Sequence, residues 1–188
     1  KDKHGDFLRK LTYYVSSYVS NRIPEISDEL YRIDDAMRAG FGWEIGPFEQ
    51  WDAIGVENLV KGMKEAGFKV NAWVDEMLAA GYKTFYKVEN GVQKYYDVAS
   101  KGYKAIPGRE SFIILSNYAE QKPVWKNSAC RIDDIGDGVL NVSWNTKMNA
   151  IGGETLEAVT KGIEIAEQQG WKGVVLGHDA PNFSAGAN

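Results

Sequence analysis

Apolar residues recur every three or four positions along the first part of the chain. Between residues 5 and 19 this spacing places them on one side of a helix, and the other side is polar. The sequence therefore predicts an amphipathic first helix. The apolar positions on its face are Phe7, Leu8, Leu11, Tyr14, Val15 and Tyr18.

Four further helical segments follow, and each ends at a glycine. They cover residues 28–40, 47–55, 56–67 and 69–81. Ser27 can cap the first of them, and Pro47 suits the first turn of the second. Glycine is the usual residue just beyond a helix end. We therefore expect residues 1–82 to form an all-helical domain.

The pattern changes at Lys83 to β-branched and aromatic residues around a turn. Asn90-Gly91 is a strong signal for a two-residue β-hairpin. The stretch from residue 99 to 127 mixes glycine and proline with one short apolar run. Residues 83–127 are interpreted as a hairpin and a connector.

Residues 128–188 carry a hairpin, a helix and a strand, in that order. Apolar and polar residues alternate on both sides of Gly136-Asp137-Gly138, as in a second hairpin. A helix ending at Gly170 and an apolar strand over residues 172–177, expected to be buried on both faces, complete the unit. The fold class predicted for the whole chain is α+β, with a helical domain followed by a partial α/β unit. The apolar face expected for the last helix consists of Leu156, Val159, Ile163 and Ala166.

Composition and net charge limit the classes of partner and ligand that the chain is expected to bind. The chain of 188 residues has a net charge of −4 and no Lys/Arg stripe, which disfavours nucleic acid. No apolar run is long enough for a membrane span, and the N-terminus lacks a signal peptide. One cysteine cannot form an internal disulfide, and no Cys/His spacing indicates zinc. The prediction is a cytoplasmic protein with no metal site.

Several residues invite a catalytic interpretation that the pattern does not favour. The glycines of residues 40–46 follow a helix, whereas a dinucleotide-binding loop follows a strand, so we expect an interhelical turn. His178 is predicted to be an exposed loop residue, and Cys130 to be a buried thiol. The aspartates beside the turns and within the second helix are expected to be solvated charges; they are Asp34, Asp35, Asp133, Asp134 and Asp137.

Residues 28–56 resemble the helical C-terminal domain of 3-hydroxyacyl-CoA dehydrogenases. The shared features are a helix that ends in Gly-Phe-Gly, then Gly-Pro-Phe-Glu, then an Asp-x-Ile-Gly ending. The resemblance implies that NAD and the catalytic residues belong to a Rossmann domain absent from this chain. It also implies dimer contacts for the helical domain and a structural role for Asn21 in preference to an active-site role.

Residues 128–188 resemble the N-terminal part of the crotonases, the family of enoyl-CoA hydratases. The element Phe183-Ser184-Ala185-Gly186-Ala187 carries this resemblance most specifically. It implies that the N–H of Ala187 is one oxyanion-hole donor for a thioester. Backbone atoms of Met148, Ala150, Ala185 and Gly186 would then hold the coenzyme A (CoA) thioester. The expected family residues after Asn149-Ala150 are replaced by Ile151-Gly152, which puts side-chain contacts there in doubt.

Together these resemblances imply a part of a fatty-acid β-oxidation enzyme that acts on acyl-CoA, with NAD as cofactor of the whole enzyme. The chain would lack complete active sites and bind no cofactor tightly. Its partners would be the Rossmann domain, the remaining crotonase segment and a second copy through self-association. Two alternatives stay open: a non-catalytic CoA-binding or subunit-interaction module, and a crotonase fold with isomerase, dehalogenase or hydrolase chemistry.

Overall fold

The computed structural model describes residues 2–110 and 112–187, and the chain divides into two compact units near residue 107. Each unit has its own hydrophobic core. Helices and strands both contribute, which confirms the mixed α and β character predicted from the sequence. Within the described residues, no helix is long and apolar enough to cross a membrane.

The first unit begins with five helices, in agreement with the five predicted segments. They are α1 (Lys3–Ser20), α2 (Leu30–Phe41), α3 (Pro47–Ile54), α4 (Val56–Glu65) and α5 (Ala72–Ala79). Gly42 at the end of α2 has a φ of 66°, the left-handed conformation that suits glycine beyond a helix end.

The outer face of α1 differs from the prediction. Phe7 is 64% exposed and Tyr14 is 62% exposed, whereas Ser16, Val19 and Ser20 are buried against the rest of the unit. The small serines allow α1 to lie close to its neighbours, and the bulkier predicted face is left uncovered. The periodicity identified the helix correctly but not the side that packs.

A three-stranded antiparallel sheet follows α5 within the same unit. Its strands are β1 (Tyr86–Glu89), β2 (Val92–Asp97) and β3 (Gly102–Ala105), in the order β1-β2-β3. Asn90 and Gly91 both have positive φ and form the predicted two-residue turn between β1 and β2.

This sheet shares the core of the helices, so the helical unit does not end at residue 82. Phe85 is fully buried, and its ring lies 5.1 Å from the rings of both Phe48 and Trp51. Tyr95 and Tyr96 belong to the same core. Because these aromatic side chains need the helices to cover them, the segment predicted as a connector, residues 83–127, is divided between the two units.

The second unit contains a four-stranded sheet and one long helix. The strands are β4 (Trp125–Lys126), β5 (Cys130–Asp134), β6 (Val139–Trp144) and β7 (Gly173–Leu176), and the helix is α6 (Gly153–Gln169). The order is β4-β5-β6-β7, with β7 parallel to β6 and the other pairs antiparallel. Gly136 and Gly138 flank the tip of the predicted β5–β6 hairpin with positive φ.

Helix α6 packs on the sheet through a face rotated from the predicted one. Thr155, Ala158, Gly162 and Ile165 are buried, whereas Leu156 is 61% exposed and Ile163 is 48% exposed. Small residues at the contact let the helix approach the strands closely. Strand β7 is also less buried than expected, since Val175 and Leu176 are 47% and 43% exposed.

Candidate functional site

The residues predicted to contact a CoA thioester come from two segments that the structure brings side by side. The N–H of Ala185 donates to the carbonyl of Met148 over 3.2 Å, and the N–H of Ile151 donates to the carbonyl of Gly186 over 2.9 Å. Ile151 and Ala187 form a short parallel bridge. Residues 147–151 and 182–187 therefore form one local structure, which we call the paired loops.

The first of the paired loops is a tight turn with unusual backbone angles. Met148 and Asn149 have φ values of 56° and 54° inside the short 3₁₀ turn Lys147–Asn149. Asparagine tolerates this left-handed conformation, but methionine rarely adopts it. Two hydrogen bonds hold the turn: Trp144 Nε1 donates to the carbonyl of Asn149 over 3.0 Å, and the Thr146 hydroxyl donates to that of Ala150 over 2.6 Å.

The second loop presents Ala187 at the surface. The N–H of Ala187 donates no hydrogen bond to any of the described residues, because the bridge to Ile151 uses the carbonyl of Gly186 instead. Gly186 has a φ of 111°, and a Cβ built on it would meet no atom within 4 Å. Its N–H donates to Ser184 Oγ over 2.9 Å, which closes a small side-chain turn. An exposed backbone donor thus lies next to open space.

Such a donor can stabilise negative charge on an oxygen atom. A thioester carbonyl gains anionic character when its enolate or tetrahedral intermediate forms, and preorganised N–H groups lower the energy of that state. Ala187 supplies one N–H. A complete oxyanion hole commonly uses two such donors.

His178 has partners that the sequence did not reveal, and the expectation of a merely exposed loop residue is wrong. Its Nε2 lies 2.7 Å from the carbonyl oxygen of Phe183, and its ring stacks on Phe183 with an interplanar angle of 12°. The ring of Trp144 meets both rings edge-on, at centroid distances of 4.9 Å and 5.2 Å. No local spacing could have shown this, because the three residues come from β6 and from two ends of a loop.

A cleft of about 650 Å³ lies in the second unit beside the paired loops. Asn149, His178 and Trp144 contribute to its wall, together with Arg131 and Asp179. The five residues predicted to contact the thioester do not line it. The cleft is therefore a neighbouring feature, and it does not cover the N–H of Ala187.

Two aspartates predicted to be solvated are buried instead. Asp34 is fully buried and accepts hydrogen bonds from the N–H groups of Phe48 and Glu49 and from the hydroxyl of Tyr86. Asp133 is 6% exposed and pairs with Arg131. The hydrogen-bond partners of the two aspartates lie between 2 and 52 residues from them in the sequence. Each carboxylate therefore stabilises the packing of its own unit.

Cys130 is a buried thiol, as predicted. It is 4% exposed, and burial raises the pKa of the thiol above its usual value. A raised pKa leaves little thiolate at neutral pH, so Cys130 lacks the activation that a nucleophile requires. Among the described residues, no group of three or more His, Cys, Asp or Glu side chains could hold a metal ion.

The glycine-rich segment of residues 40–46 does not fit a dinucleotide. It joins α2 to α3 rather than a strand to a helix, and Asp34 occupies the space beside Gly46. A pyrophosphate at that point would meet a carboxylate, so the segment does not fit NAD. Trp43 is half-buried and lines a groove of about 570 Å³ between α1 and α2.

Asn21 follows the end of α1. Its side-chain Nδ2 donates to the carbonyl of Ser17 over 2.8 Å, and its Oδ1 accepts from Asn71 over 3.4 Å. These contacts tie the end of α1 to the start of α5. They support the structural role implied by the resemblance.

Comparison with known proteins finds relatives over almost the whole chain. The chain is 39% identical over all 188 residues to "Probable 3-hydroxyacyl-CoA dehydrogenase" of Bacillus subtilis (strain 168), of which it spans 23%. It is 26% identical over 98% of its length to "Putative fatty acid oxidation complex trifunctional enzyme" of Rickettsia prowazekii (strain Madrid E), of which it spans 22%. A Rickettsia felis protein of the same description is 27% identical over 94% of the chain, which spans 21% of that protein.

The chain thus corresponds to less than a quarter of the length of each of these relatives. No family profile matches the sequence. No solved structure matches it either.

Proposed function

We propose that this chain is part of a fatty-acid β-oxidation enzyme acting on acyl-CoA thioesters, in which 3-hydroxyacyl-CoA dehydrogenase and enoyl-CoA hydratase activities are combined. The observation that carries the hydratase part is the N–H of Ala187, an exposed residue, which donates no hydrogen bond to the described residues. The similarity to the dehydrogenase of Bacillus subtilis supports the dehydrogenase part. NAD would be bound by another part of the whole enzyme.

In this proposal the second unit contributes half of an oxyanion hole. The thioester oxygen accepts a hydrogen bond from Ala187, and the open space at Gly186 admits the thioester without a steric conflict. The backbone of Met148 and Ala150 in the adjacent loop, and of Ala185 in the same loop as Ala187, contacts the CoA chain. The second donor and the acid–base groups are supplied from outside residues 2–187, so the chain alone does not turn over crotonyl-CoA.

The test compares two ligands that differ in the thioester. Acetyl-CoA has the carbonyl oxygen that Ala187 would bind, whereas free CoA has the same nucleotide and pantetheine arm without it. We expect acetyl-CoA to move the amide proton resonance of Ala187 downfield in a nuclear magnetic resonance (NMR) titration, and CoA to leave it nearly unchanged. If the chemical shift of the Ala187 amide proton does not change with acetyl-CoA, or changes equally with both ligands, the proposal is contradicted.

Two variants test whether the N–H of Ala187 causes the difference between the two ligands, and an activity assay tests whether the site is complete. Ala187→Pro removes the N–H and should abolish the difference between the ligands, whereas Ala187→Gly keeps the N–H and should preserve it. Crotonyl-CoA hydration by the unmodified chain should stay at background. Turnover within tenfold of an ordinary hydratase would show that the chain holds a complete site.

A second candidate function, a subunit-interaction module, is favoured by the uncovered face of α1. Phe7, Leu8 and Leu11 are 64%, 59% and 46% exposed, and the stripe continues into the apolar groove lined by Tyr14 and Tyr18. Contiguous apolar surface of this kind marks protein–protein contacts. The free edge of β7 offers a second place for pairing with another chain.

Light scattering tests the interaction module. If α1 mediates association, the chain should form a species larger than a monomer at micromolar concentration, and Leu8→Lys with Leu11→Lys should shift it toward the monomer. His4→Lys changes an exposed polar position of the same helix and serves as the matched control. A monomeric wild-type chain, or a double variant that still associates, excludes α1 as the contact.

A further inference from the structure

His178, Trp144 and Phe183 form a compact aromatic cluster at the base of the paired loops. His178 and Phe183 stack with ring centroids 5.6 Å apart, and Trp144 packs edge-on against both. Trp144 itself is 4% exposed and belongs to the core of the second unit. The cluster therefore connects a surface loop to a strand of the core.

Polar contacts reinforce the cluster at defined atoms. The Phe183 carbonyl can only accept a hydrogen bond, so Nε2 of His178 is the donor over 2.7 Å. The other ring nitrogen, Nδ1, is buried and has no hydrogen-bond partner within the described chain. A proton there would be buried without an acceptor, which favours the tautomer that carries hydrogen on Nε2.

The same loop is held at a second carbonyl. Asn149 Nδ2 donates to the carbonyl oxygen of Asn182 over 2.8 Å, and the carbonyl of Asn149 accepts from Trp144 Nε1. Two consecutive carbonyls, of Asn182 and Phe183, are thus bound by side chains. These attachments lie four and five residues before Ala187.

We infer that His178 is a positioning residue that fixes the direction of the Ala187 N–H. The inference rests on the proposed function, since it names the residue that prepares the thioester-binding donor. The Nε2–H bond fixes the Phe183 carbonyl, and the stacked ring limits rotation of the peptide units that follow. A donor held in place before the ligand arrives loses less freedom on binding.

Three variants separate the hydrogen bond from packing. His178→Gln places a side-chain NH₂ near the position of Nε2, so it keeps a donor and loses the ring. His178→Phe keeps a stacking ring and loses the donor. His4→Gln changes the chain's other histidine, which is exposed on α1, and serves as the control.

Hydrogen exchange gives a readout that does not depend on any ligand. The N–H groups of Ala185 and Ile151 report the pairing of the loops, and the N–H of Gly177, which donates to Val142 over 3.1 Å, reports the sheet. In His178→Phe we expect exchange at Ala185 and Ile151 to accelerate about fivefold, in line with one lost hydrogen bond. Gly177 should be unaffected, and His178→Gln should recover at least half of the protection.

Acetyl-CoA affinity is the second readout. His178→Phe should weaken acetyl-CoA binding about fivefold and CoA binding by a smaller factor, and His178→Gln should restore most of the acetyl-CoA affinity. If the wild-type chain binds no acetyl-CoA, the proposed function fails, while the exchange rates still decide whether His178 holds the loop. Unchanged exchange at Ala185 and Ile151 in a folded His178→Phe variant overturns the inference.

Discussion

The carboxyl group of Asp34 fills the space that a side chain on Gly46 would occupy. A Cβ built on Gly46 would lie 2.2 Å from the Cβ of Asp34. The same carboxylate accepts the N–H of Phe48 over 2.9 Å and that of Glu49 over 3.1 Å. Asp34, a residue of α2, therefore caps the N-terminus of α3 in place of the side chain that glycine lacks.

Gly46→Ala should destabilise the first unit strongly. The new methyl group would collide with the backbone and side chain of Asp34, and overpacking of this kind costs about 1–3 kcal/mol even before the cap is lost. Urea denaturation measures the change. Gly40→Ala is the control, since its Cβ meets nothing within 4 Å and alanine favours a helix by about 0.5–1 kcal/mol. Equal stability of the two variants would contradict this arrangement.

The stability of the first unit should fall as pH rises from about 4 to about 7. Burial raises the pKa of Asp34 to about 6 and that of Asp52 to about 7, and hydrogen bonds from backbone N–H groups oppose these rises. An aspartate in an unfolded chain has a pKa of 3.8. Between these values the folded chain holds protons that the unfolded chain has released, so raising the pH favours unfolding.

Urea denaturation across that pH range tests the direction. Asp52→Asn removes one of the two titrating groups and should flatten the slope, and Asp28→Asn, at an exposed position, should leave it unchanged. Stability that rises with pH would show that the hydrogen bonds to these carboxylates outweigh their burial.

Arg131 should be needed to hold residues 118–121 on the second sheet. Its guanidinium donates twice to Asp133, over 2.6 Å and 2.7 Å, and also to the carbonyls of Tyr118, Ala119 and Gln121. Arg131→Met leaves the buried carboxylate of Asp133 unpaired, which costs about 3–5 kcal/mol. Limited proteolysis between residues 112 and 123 should become faster. Arg9→Met, which removes an exposed pair, should leave the cleavage rate unchanged.

Gly162→Ala should loosen α6 from the sheet. The added Cβ would lie 2.8 Å from Val142 Cγ2, and we expect a loss of about 1–3 kcal/mol. Gly153→Ala, at the start of the same helix, meets open space and serves as the control. Hydrogen exchange of the β5 and β6 amides measures the effect of each variant. Equal protection in the two variants would contradict a close contact at Gly162.

Local patterns were sufficient to predict the helices, both hairpins and β7, but β3 and β4 lie in the stretch predicted as a connector. Asn90 and Gly91 both have positive φ, a conformation that asparagine and glycine tolerate. The first hairpin could therefore be located from these two residues alone. The end of α6 at Gly170 follows from the same property, whereas α2 continues past its predicted end at Gly40 and ends at Gly42. The segments that hold Met148, Ala150, Ala185, Gly186 and Ala187 could be named from a resemblance, and the structure places them side by side.

The sequence by itself determined where most of the helices, strands and turns form, because those choices depend on residues that are neighbours in the chain. Only the tertiary structure decided which face of α1 and α6 is buried, since that depends on small residues such as Ser16 and Gly162 meeting a particular neighbour. It also decided the roles of Asp34 and His178. Their partners Tyr86 and Trp144 lie 52 and 34 residues away, and contacts at that separation leave no periodic signal in the sequence.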